Sequence, residues 1–311
     1  MRRATSAGNA APRLTRGPPR GLPPRGRAPH LLLMISTERP GEHLATRDRE
    51  AGELDARADA LRALSNAGVP HLVAGAYAFF EYTGIFRDTK DLDIFLRERD
   101  LEDAFRVLEA AGFRTELLDP TWIGKGYRGE WFVDLIFSSG NGVAVVDDLW
   151  FEHARPGRVM GVDVLLAPPE EIIWSKGYVL ERERYDGADV NHLLRACGDS
   201  LDWDRLLQRF DRHWEVLFSH LMLYRFTYPC ERDKVPERVM HALMQRTRAD
   251  MLEGNHVRPV CRGTLISRVQ YRHDLEHLGY EDGRALDEAE RGGRTERDGG
   301  RGRDLPAGGD R

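Results

Sequence analysis

Two aspartates at alternate positions, Asp91 and Asp93, are the residues whose type and spacing best suit chemistry. They begin a stretch, residues 91–96, in which every second residue is aliphatic, a pattern that predicts a β-strand with one buried face. Both carboxylates then share the other face, about 7 Å apart along the strand. They repel each other unless water or cations lie between them, and Mg²⁺ prefers such ligands together with substrate phosphates. The pair indicates either a metal site or a solvated acidic face.

A third aspartate, Asp134, interrupts the otherwise apolar stretch of residues 131–137. A carboxylate inside so apolar a strand is costly unless a cation or hydrogen bonds compensate its charge. A metal ion shared with a neighbouring strand would supply that compensation, and so would a salt bridge to an arginine. The sequence leaves both explanations open.

Gly75 and Lys176 are candidates for contact with a phosphate chain. Gly75 lies at a predicted strand-to-helix turn, where a glycine lets phosphate oxygens approach the N–H groups of the helix start, although an ordinary tight turn also needs one. Lys176 is one of only four lysines among 46 basic residues. It is predicted to share an apolar helical face with Ile172 and Leu180. From there it could reach a triphosphate as a point charge, or extend to the surface.

A further charged group consists of Arg184, Asp186 and Asp189. The two aspartates are three residues apart at a predicted helix start, where acids suit the positive end of the helix dipole. A structural Arg–Asp network between two parts of the chain and a contact with substrate both fit this arrangement.

The elements that must position these residues change character at residues 168–169, which are both proline. Strands are predicted before this point, at residues 71–74, 91–96, 113–118, 131–137 and 159–166, with helices at 50–67, 76–81 and 101–111. Helices are predicted after it, at residues 170–183, 188–197, 203–210, 213–226 and 237–252. Strands followed by helices predict an α+β fold, with a catalytic domain followed by a helical domain.

The domain boundaries that we expect are 46–167 for the catalytic domain, 168–252 for the helical domain and 253–283 for a docking segment. In that segment Arg262, Gly263 and Thr264 could close over a phosphate, but we favour a docking role. Residues 1–45 are predicted to be a disordered Arg/Pro-rich extension, with a transit peptide as the alternative and Met34 as a candidate start. Residues 284–311 are predicted to be a disordered tail.

The bulk composition argues against several classes of protein. The net charge of −5 gives no sign of a nucleic-acid binder, and no apolar run approaches the roughly 18 residues of a membrane span. The three widely spaced cysteines form no C-x-x-C, so we expect no zinc cluster or disulfide framework, and a reducing cytoplasm fits best. His273 and His277 lack the H-E-x-x-H frame and are predicted to be surface residues.

Several of these residues together carry a family resemblance. Gly75-Ala76, fourteen intervening residues and Asp91-Leu-Asp93-Ile resemble the signature of the DNA polymerase β-like nucleotidyltransferase superfamily. The spacing Arg87-x-Thr89-x-Asp91 is similar to small prokaryotic members, including abortive-infection and toxin-like proteins. Lys176 with Arg184, Asp186 and Asp189 resembles the helical segment that follows their catalytic domain. The resemblance covers about residues 65–195.

The resemblance implies a mixed β-sheet flanked by helices and a metal centre. Asp91, Asp93 and Asp134 would hold two Mg²⁺ ions about 3.5–4 Å apart, with Mn²⁺ as an alternative, and Asp134 would also be a candidate base. The residues expected at the nucleotide are Gly75, Ala76, Lys176 and Arg87. Ala76 departs from the family pattern, because a serine there would offer its hydroxyl to phosphate.

The expected reaction moves a nucleoside monophosphate from an NTP to an acceptor, with release of pyrophosphate. The acceptor could be RNA such as tRNA, a protein hydroxyl or a small molecule. One alternative is a non-catalytic module that binds a nucleotide or a partner on the same fold. Another is a different metal-dependent phosphotransferase or hydrolase. The sequence indicates neither the nucleotide base nor an oligomeric state.

Overall fold

The computed structural model of the chain describes residues 51–87, 89–254 and 258–300. Its strands are β1 Leu72–Val73, β2 Asp93–Phe95, β3 Arg114–Asp119, β4 Ile123–Arg128, β5 Trp131–Ile136, β6 Arg155–Val159, β7 Val162–Leu166, β8 Val260–Cys261 and β9 Glu281–Asp282. Its helices up to the end of the sheet are α1 Ala51–Asn66, α2 Gly75–Thr83, α3 Leu101–Ala110 and α4 Asp148–Glu152. The helices that follow are α5 Pro169–Gly177, α6 Gly187–Cys197, α7 Trp203–Phe210, α8 Trp214–Thr227, α9 Glu237–Glu253, α10 Arg272–His277 and α11 Gly283–Gly300.

Strands β1 to β7 form one mixed sheet in the order β3-β4-β5-β2-β1-β7-β6. The central strand β2 is parallel to β5 and antiparallel to β1, and β1 is parallel to β7. Strands β8 and β9 form a separate parallel pair. The predicted fold class is confirmed, since helices flank a mixed sheet and a helical region follows it. The proposed domain boundaries at residues 167 and 252 remain predictions.

The alternation predicted for residues 91–96 is present around strand β2. The side chains of Leu92, Ile94 and Leu96 are fully buried in the core, whereas Asp91 and Asp93 are only partly buried. Burial of each aliphatic side chain contributes about 1.5–3 kcal/mol. This buried face fixes the register of β2, because a slip by one residue would turn the aspartates into the core.

Strand β4 is absent from the sequence-based assignment. It contains two glycines, which weaken a strand pattern. In the structure a side chain on Gly124 would lie 2.5 Å from the ring of Phe105, and one on Gly126 would lie 3.1 Å from Leu108. Close packing of helix α3 on the sheet therefore requires Gly124 and Gly126, the same glycines that weaken the strand pattern in the sequence.

The single strand predicted at residues 159–166 is wrong, because the chain forms the hairpin β6–β7 there. Met160 and Gly161 both have positive φ, 49° and 74°, and Val159 pairs with Val162 across the turn. Two residues with positive φ form the tight turn that matches the twist of a hairpin.

The helix predicted at residues 170–183 ends six residues early, at Gly177. The His220 ring hydrogen-bonds the Gly177 carbonyl at 2.8 Å, and a side chain on Gly177 would lie 2.9 Å from Phe210. The chain then turns, and Leu180 forms a bridge with Tyr185. Leu180 therefore does not share a helical face with Lys176, contrary to the prediction.

Helix α11 covers Gly283–Gly300, so the first part of the segment that was predicted as a disordered tail from residue 284 is helical. Asp287 on this helix is buried, with Oδ2 at 3.0 Å from His213 Nε2 and Oδ1 at 3.1 Å from Arg212 Nη2. The ion pair with Arg212 and the contact with His213 give a polar segment the partners that its composition did not indicate.

The predictions for residues 1–45, including the start at Met34, lie outside the described residues, as does the tail beyond residue 300. Among the described helices, none combines the length and the apolar character that crossing a bilayer requires.

Candidate active site

The parallel strands β2 and β5 bring the three predicted carboxylates together. Asp93 and Asp134 are direct partners in the register of the two strands. One carboxylate oxygen from each of Asp91, Asp93 and Asp134 lies within 4.8 Å of the other two. Such a cluster of hard oxygen ligands suits a divalent cation such as Mg²⁺ or Mn²⁺.

Gly75 leaves room for the central carboxylate of this cluster. Helix α2 begins at Gly75, and the Ala74 N–H donates to the Asp93 carbonyl at 3.0 Å, which ties the helix start to β2. A Cβ on Gly75 would lie 1.7 Å from Asp93 Oδ2. Gly75 also has a φ of +55°, the left-handed region that favours glycine. Both the space and the backbone conformation therefore require glycine here.

Burial and crowding change the protonation of the cluster. Burial, together with the charges of Asp91 and Asp134, raises the pKa of Asp93 to about 7. The hydroxyl of Thr89 donates to Asp91 Oδ1 and orients that carboxylate. A metal ion would relieve the mutual repulsion, because it favours the ionised form of each ligand.

The charge of Asp134 is compensated by a lysine that the sequence interpretation missed. Lys125 Nζ donates to Asp134 Oδ1 at 2.6 Å and lies 4.0 Å from the ring centre of Phe132. Lys125 is the direct cross-strand partner of Asp134 on β4. Burial raises the pKa of Asp134, although the hydrogen bond from Lys125 opposes this. The salt-bridge alternative is thus realised with a lysine instead of the expected arginine.

A second charged cluster lies beside the carboxylates and is centred on Lys176. Its Nζ lies 2.8 Å from both Asp186 Oδ2 and Asp189 Oδ2, and its side chain is only 18% exposed. Lys176 therefore points inward instead of extending to the surface. Burial acts to raise the pKa of Asp186, but Lys176 and Arg184 outweigh it and the net shift is downward.

The two arginines of this region also reach the same aspartates. Arg184 hydrogen-bonds both carboxylate oxygens of Asp186, at 3.3 and 3.2 Å. Arg87 Nη1 lies 2.5 Å from Asp189 Oδ1, and its guanidinium lies 4.8 Å from the ring centre of Phe79. These contacts form an Arg–Asp network, and the contact of Arg87 with Asp189 connects helix α6 with the loop before β2.

Two adjoining cavities meet at these clusters. The first, here called the polar cavity, has a volume of about 430 Å³, and its lining includes Gly75, Ala76, Arg87, Asp91, Asp134 and Asp189. The second, here called the aromatic cavity, has a volume of about 480 Å³, and its lining includes Phe95, Ser138, Trp150, Tyr178 and Ile266. The residues that line both are Gly75, Asp93, Trp122, Ile136, Lys176, Arg184 and Asp186.

The chain at Thr264–Arg268, here called the strap, forms one wall of the aromatic cavity. Leu265 is buried, and its carbonyl accepts a hydrogen bond from Asn141 Nδ2 at 2.6 Å. Glu181 accepts hydrogen bonds from the Ser267 hydroxyl at 2.5 Å and from the Arg268 N–H at 3.0 Å. The segment therefore both docks on the rest of the chain and lines a cavity, and sequence alone did not identify Glu181 as its anchor.

No protein-family model matches the sequence, and no curated protein sequence matches it either. Several solved structures resemble its fold. The solution structure of the antibiotic-resistance factor ANT(2'')-Ia is 18% identical, covers 55% of this chain and 98% of its own, and has a TM-score of 0.39. The lincosamide antibiotic adenylyltransferase LnuA is 17% identical, with coverages of 45% and 94% and a TM-score of 0.34.

A putative nucleotidyltransferase from Helicobacter pylori is 14% identical, covers 67% of this chain and 100% of its own, and has a TM-score of 0.31.

Proposed function

We propose that this chain is a metal-dependent nucleotidyltransferase that moves a nucleoside monophosphate from an NTP to a hydroxyl acceptor, with release of pyrophosphate. The observation that carries the proposal is the convergence of Asp91, Asp93 and Asp134 within 4.8 Å, beside a helix start that approaches Asp93. We expect the reaction to take place in the cytoplasm, as the cysteine spacing indicates.

The three aspartates would hold Mg²⁺, with Mn²⁺ as an alternative and two ions as the expected number. Bound there, the metal would neutralise charge on the phosphates and favour the ionised acceptor oxygen. The protein's own part is to keep three carboxylates together despite their repulsion. Strand pairing between β2 and β5 does this, since it fixes Asp93 opposite Asp134.

The start of helix α2 would bind the triphosphate. The first N–H groups of a helix have no partner within the helix, and the helix dipole adds positive potential there. Because Ala76 has no hydroxyl, the backbone N–H groups of Gly75 and Ala76 must supply these contacts. Lys176 and Arg184 line the polar cavity and place positive charge near the phosphates.

The bond changes are those of nucleotidyl transfer. The acceptor oxygen forms a bond to the α-phosphorus while the bond to the β-phosphate oxygen breaks, and pyrophosphate leaves. The acceptor's proton passes to a carboxylate, for which Asp134 is the candidate. The hydrogen bond from Lys125 holds the accepting carboxylate in a fixed orientation.

The experiment that tests this proposal incubates the protein with Mg²⁺, each α-³²P-labelled NTP in turn and a cell extract. We expect the wild type to transfer label, and Asp93→Asn to lower the rate about 100-fold or more because it removes a metal ligand. Asp163→Asn is the matched control, since Asp163 is an 87% exposed residue of β7. It should retain full activity.

Other outcomes would point elsewhere. Mg²⁺-dependent NTP binding without turnover would indicate a binding module, and release of inorganic phosphate in place of pyrophosphate would indicate a hydrolase or phosphotransferase. The proposal would be rejected if the protein neither bound nor turned over any of the NTPs.

A further inference from the structure

The part of the aromatic cavity that Phe95, Trp150, Tyr178 and the strap line has no role in metal or phosphate binding as described above, yet the cavity opens onto Asp93. We propose that it binds the acceptor, and that the acceptor is a small, uncharged alcohol that carries a ring system. This inference rests on the proposed nucleotidyl transfer and names the substrate class for it.

The two cavities follow one another along strand β2. Asp91, Asp93 and Phe95 alternate along one side of β2, and the polar cavity includes the first two while the aromatic cavity includes the last two. Asp91, Asp134, Ala76 and Arg87 line the polar cavity and not the aromatic one, and they supply groups that metal and triphosphate need. The aromatic cavity is left for the second substrate, and Asp93 is where the reacting atoms of both can meet.

Trp150 and Tyr178 present their ring carbons to this cavity, because their polar atoms are already bonded elsewhere. Trp150 Nε1 donates to the Val145 carbonyl at 3.1 Å. The Tyr178 hydroxyl and His213 Nδ1 are hydrogen-bonded at 3.0 Å. Phe95 packs edge-on against Trp150, with 5.3 Å between ring centres. Such a wall favours an apolar or aromatic ligand body.

The polar side chains along the cavity are also paired, either with one another or with the backbone. The Ser139 hydroxyl donates to Asn141 Oδ1 at 2.6 Å and accepts from the Ala144 N–H at 2.8 Å. The Ser175 hydroxyl donates to the Ile172 carbonyl of its own helix at 3.1 Å. Few polar groups therefore require a ligand partner, so a heavily hydroxylated or polyamine ligand would lose hydrogen bonds to water without replacing them.

The charges of the cavity balance. Its described lining contains three acidic side chains and three basic ones: Asp93, Glu181, Asp186, Lys176, Arg184 and Arg268. Arg184 is paired with Asp186, and Glu181 with the strap. The lining therefore has no excess of one sign that would attract a polycation or a polyanion, and this favours an uncharged ligand.

The size and the strap favour a small molecule over a polymer. A volume of about 480 Å³ lies within the range of small-molecule sites. The strap is fixed at Leu265 by Asn141, and at Ile266 by the Leu180 N–H, which donates to the Ile266 carbonyl at 3.2 Å. A polynucleotide or a folded protein would have to break these bonds to enter, whereas a small alcohol need not.

The test uses 2-(2-naphthyl)ethanol as the probe and 2-(2-naphthyl)ethylamine as its positively charged match. α,β-Methylene-ATP with Mg²⁺ reports the nucleotide site without turnover. Binding of each compound to the full chain is measured by calorimetry and ligand-observed NMR. With Mg²⁺ bound at the aspartates, we expect the alcohol to bind at least about tenfold more tightly than the amine, because the other acids of the cavity, Glu181 and Asp186, are already paired.

The variant that tests the location is Ser175→Phe, which places a ring inside the aromatic cavity and outside the polar one. It should weaken the alcohol about tenfold or more and leave the nucleotide analogue within about twofold. Ser219→Phe is the matched control, because the Ser219 hydroxyl also bonds a carbonyl three residues earlier in its helix, but at an exposed position. Ala144→Leu fills the same cavity from another side, should Ser175→Phe fail to fold.

The outcomes separate this inference from the proposed function. If the wild type binds α,β-methylene-ATP but not the alcohol, or binds the amine equally well, the inference is wrong and the nucleotidyltransferase proposal stands. If Ser175→Phe abolishes binding of the nucleotide analogue, the cavity holds the nucleoside and the inference is again wrong. If the wild type does not bind the nucleotide analogue with Mg²⁺, the proposed function itself fails.

Discussion

At the scale of single residues, the protonation state of Asp93 controls how tightly the site binds metal. Its pKa is raised to about 7, first by burial and then by Asp91 and Asp134. A raised pKa means that the folded, metal-free chain holds this proton more tightly than the unfolded chain does. Its stability without metal therefore falls as the pH rises from about 4 to 7, and metal, which needs the ionised carboxylate, competes with the proton.

We predict that the apparent Mn²⁺ affinity falls about tenfold per pH unit below pH 7 and levels off above it. Titration followed by the electron paramagnetic resonance of free Mn²⁺ would measure this between pH 5.5 and 8.5. The raised pKa of Asp134 should steepen the fall at the acid end. An affinity independent of pH over this range would show that Asp93 is not a ligand.

Lys125 should compete with metal for Asp134. We predict that Lys125→Met destabilises the metal-free protein by about 3 kcal/mol, because it leaves a buried carboxylate unpaired. Mn²⁺ should then raise the melting temperature more in this variant than in the wild type. The double variant Lys125→Met/Asp134→Asn is the control, and it should lose the extra metal response. Equal metal responses in Lys125→Met and wild type would contradict this.

The site residues that could be predicted from the sequence belong to local patterns, whereas the one that could not be predicted acts through pairing between distant strands. Asp91, Asp93 and Gly75 are linked by local strand and turn patterns, so the motif indicated them together. Lys125 became relevant only through cross-strand pairing of β4 with β5, and two glycines had concealed β4. Sequence alone cannot give such a register.

At the scale of secondary-structure elements, the junction between helix α2 and strand β2 determines the space that the Asp93 carboxylate occupies. Gly75 and Gly84 stand at the start and just beyond the end of α2, with φ of +55° and +68°. Only at Gly75 does a side chain meet another group, namely Asp93 Oδ2 at 1.7 Å, since nothing lies within 4 Å of a Cβ on Gly84.

We predict that Gly75→Ala and Gly84→Ala each lose roughly 1–2 kcal/mol of stability through backbone strain. Only Gly75→Ala should in addition weaken Mn²⁺ binding, by about tenfold or more, because it displaces the Asp93 carboxylate. Urea unfolding and Mn²⁺ titration of the two variants would measure this. Equal metal affinities in the two variants would be inconsistent with the proposed role of Gly75.

Element boundaries were predictable where local signals define them. The strand-to-helix turn at Gly75 and the core alternation of residues 92–96 follow from patterns within a few residues. The turn at Met160–Gly161 and the early end of α5 at Gly177 do not, since the first requires an unusual φ at a methionine and the second a contact with His220.

At the scale of the whole molecule, a buried charge network connects the helices that follow the sheet. Glu170 and Glu171 of α5 are 1% and 0% exposed, and Arg205 of α7 contacts them at 2.7 and 2.8 Å. Arg209 contacts both Glu171 and Asp147, at 3.1 and 2.6 Å. The network thus joins α5 and α7 to the residue that caps α4, and it supports the helix that carries Lys176.

We predict that Arg205→Met costs about 3–5 kcal/mol of unfolding free energy, because it leaves buried carboxylates uncompensated. Arg238→Met is the matched control: its ion pair with Asp204 is 58% and 70% exposed, so its loss should cost less than about 1 kcal/mol. Urea unfolding would measure both. Similar losses in the two variants would show that the buried network does not contribute as described.

The central claim is that the α-phosphate of an NTP, with its nucleoside, is transferred to an acceptor. The most direct measurement follows the α-phosphate and the γ-phosphate of the same NTP separately. The wild type and Asp93→Asn are incubated with Mg²⁺, acceptor-containing extract and either α-³²P- or γ-³²P-labelled NTP. The predicted result is α label covalently bound to an acceptor and γ label in pyrophosphate, with both lost in Asp93→Asn. Label from the γ position in the acceptor or in inorganic phosphate, or transfer that persists in Asp93→Asn, would contradict the claim.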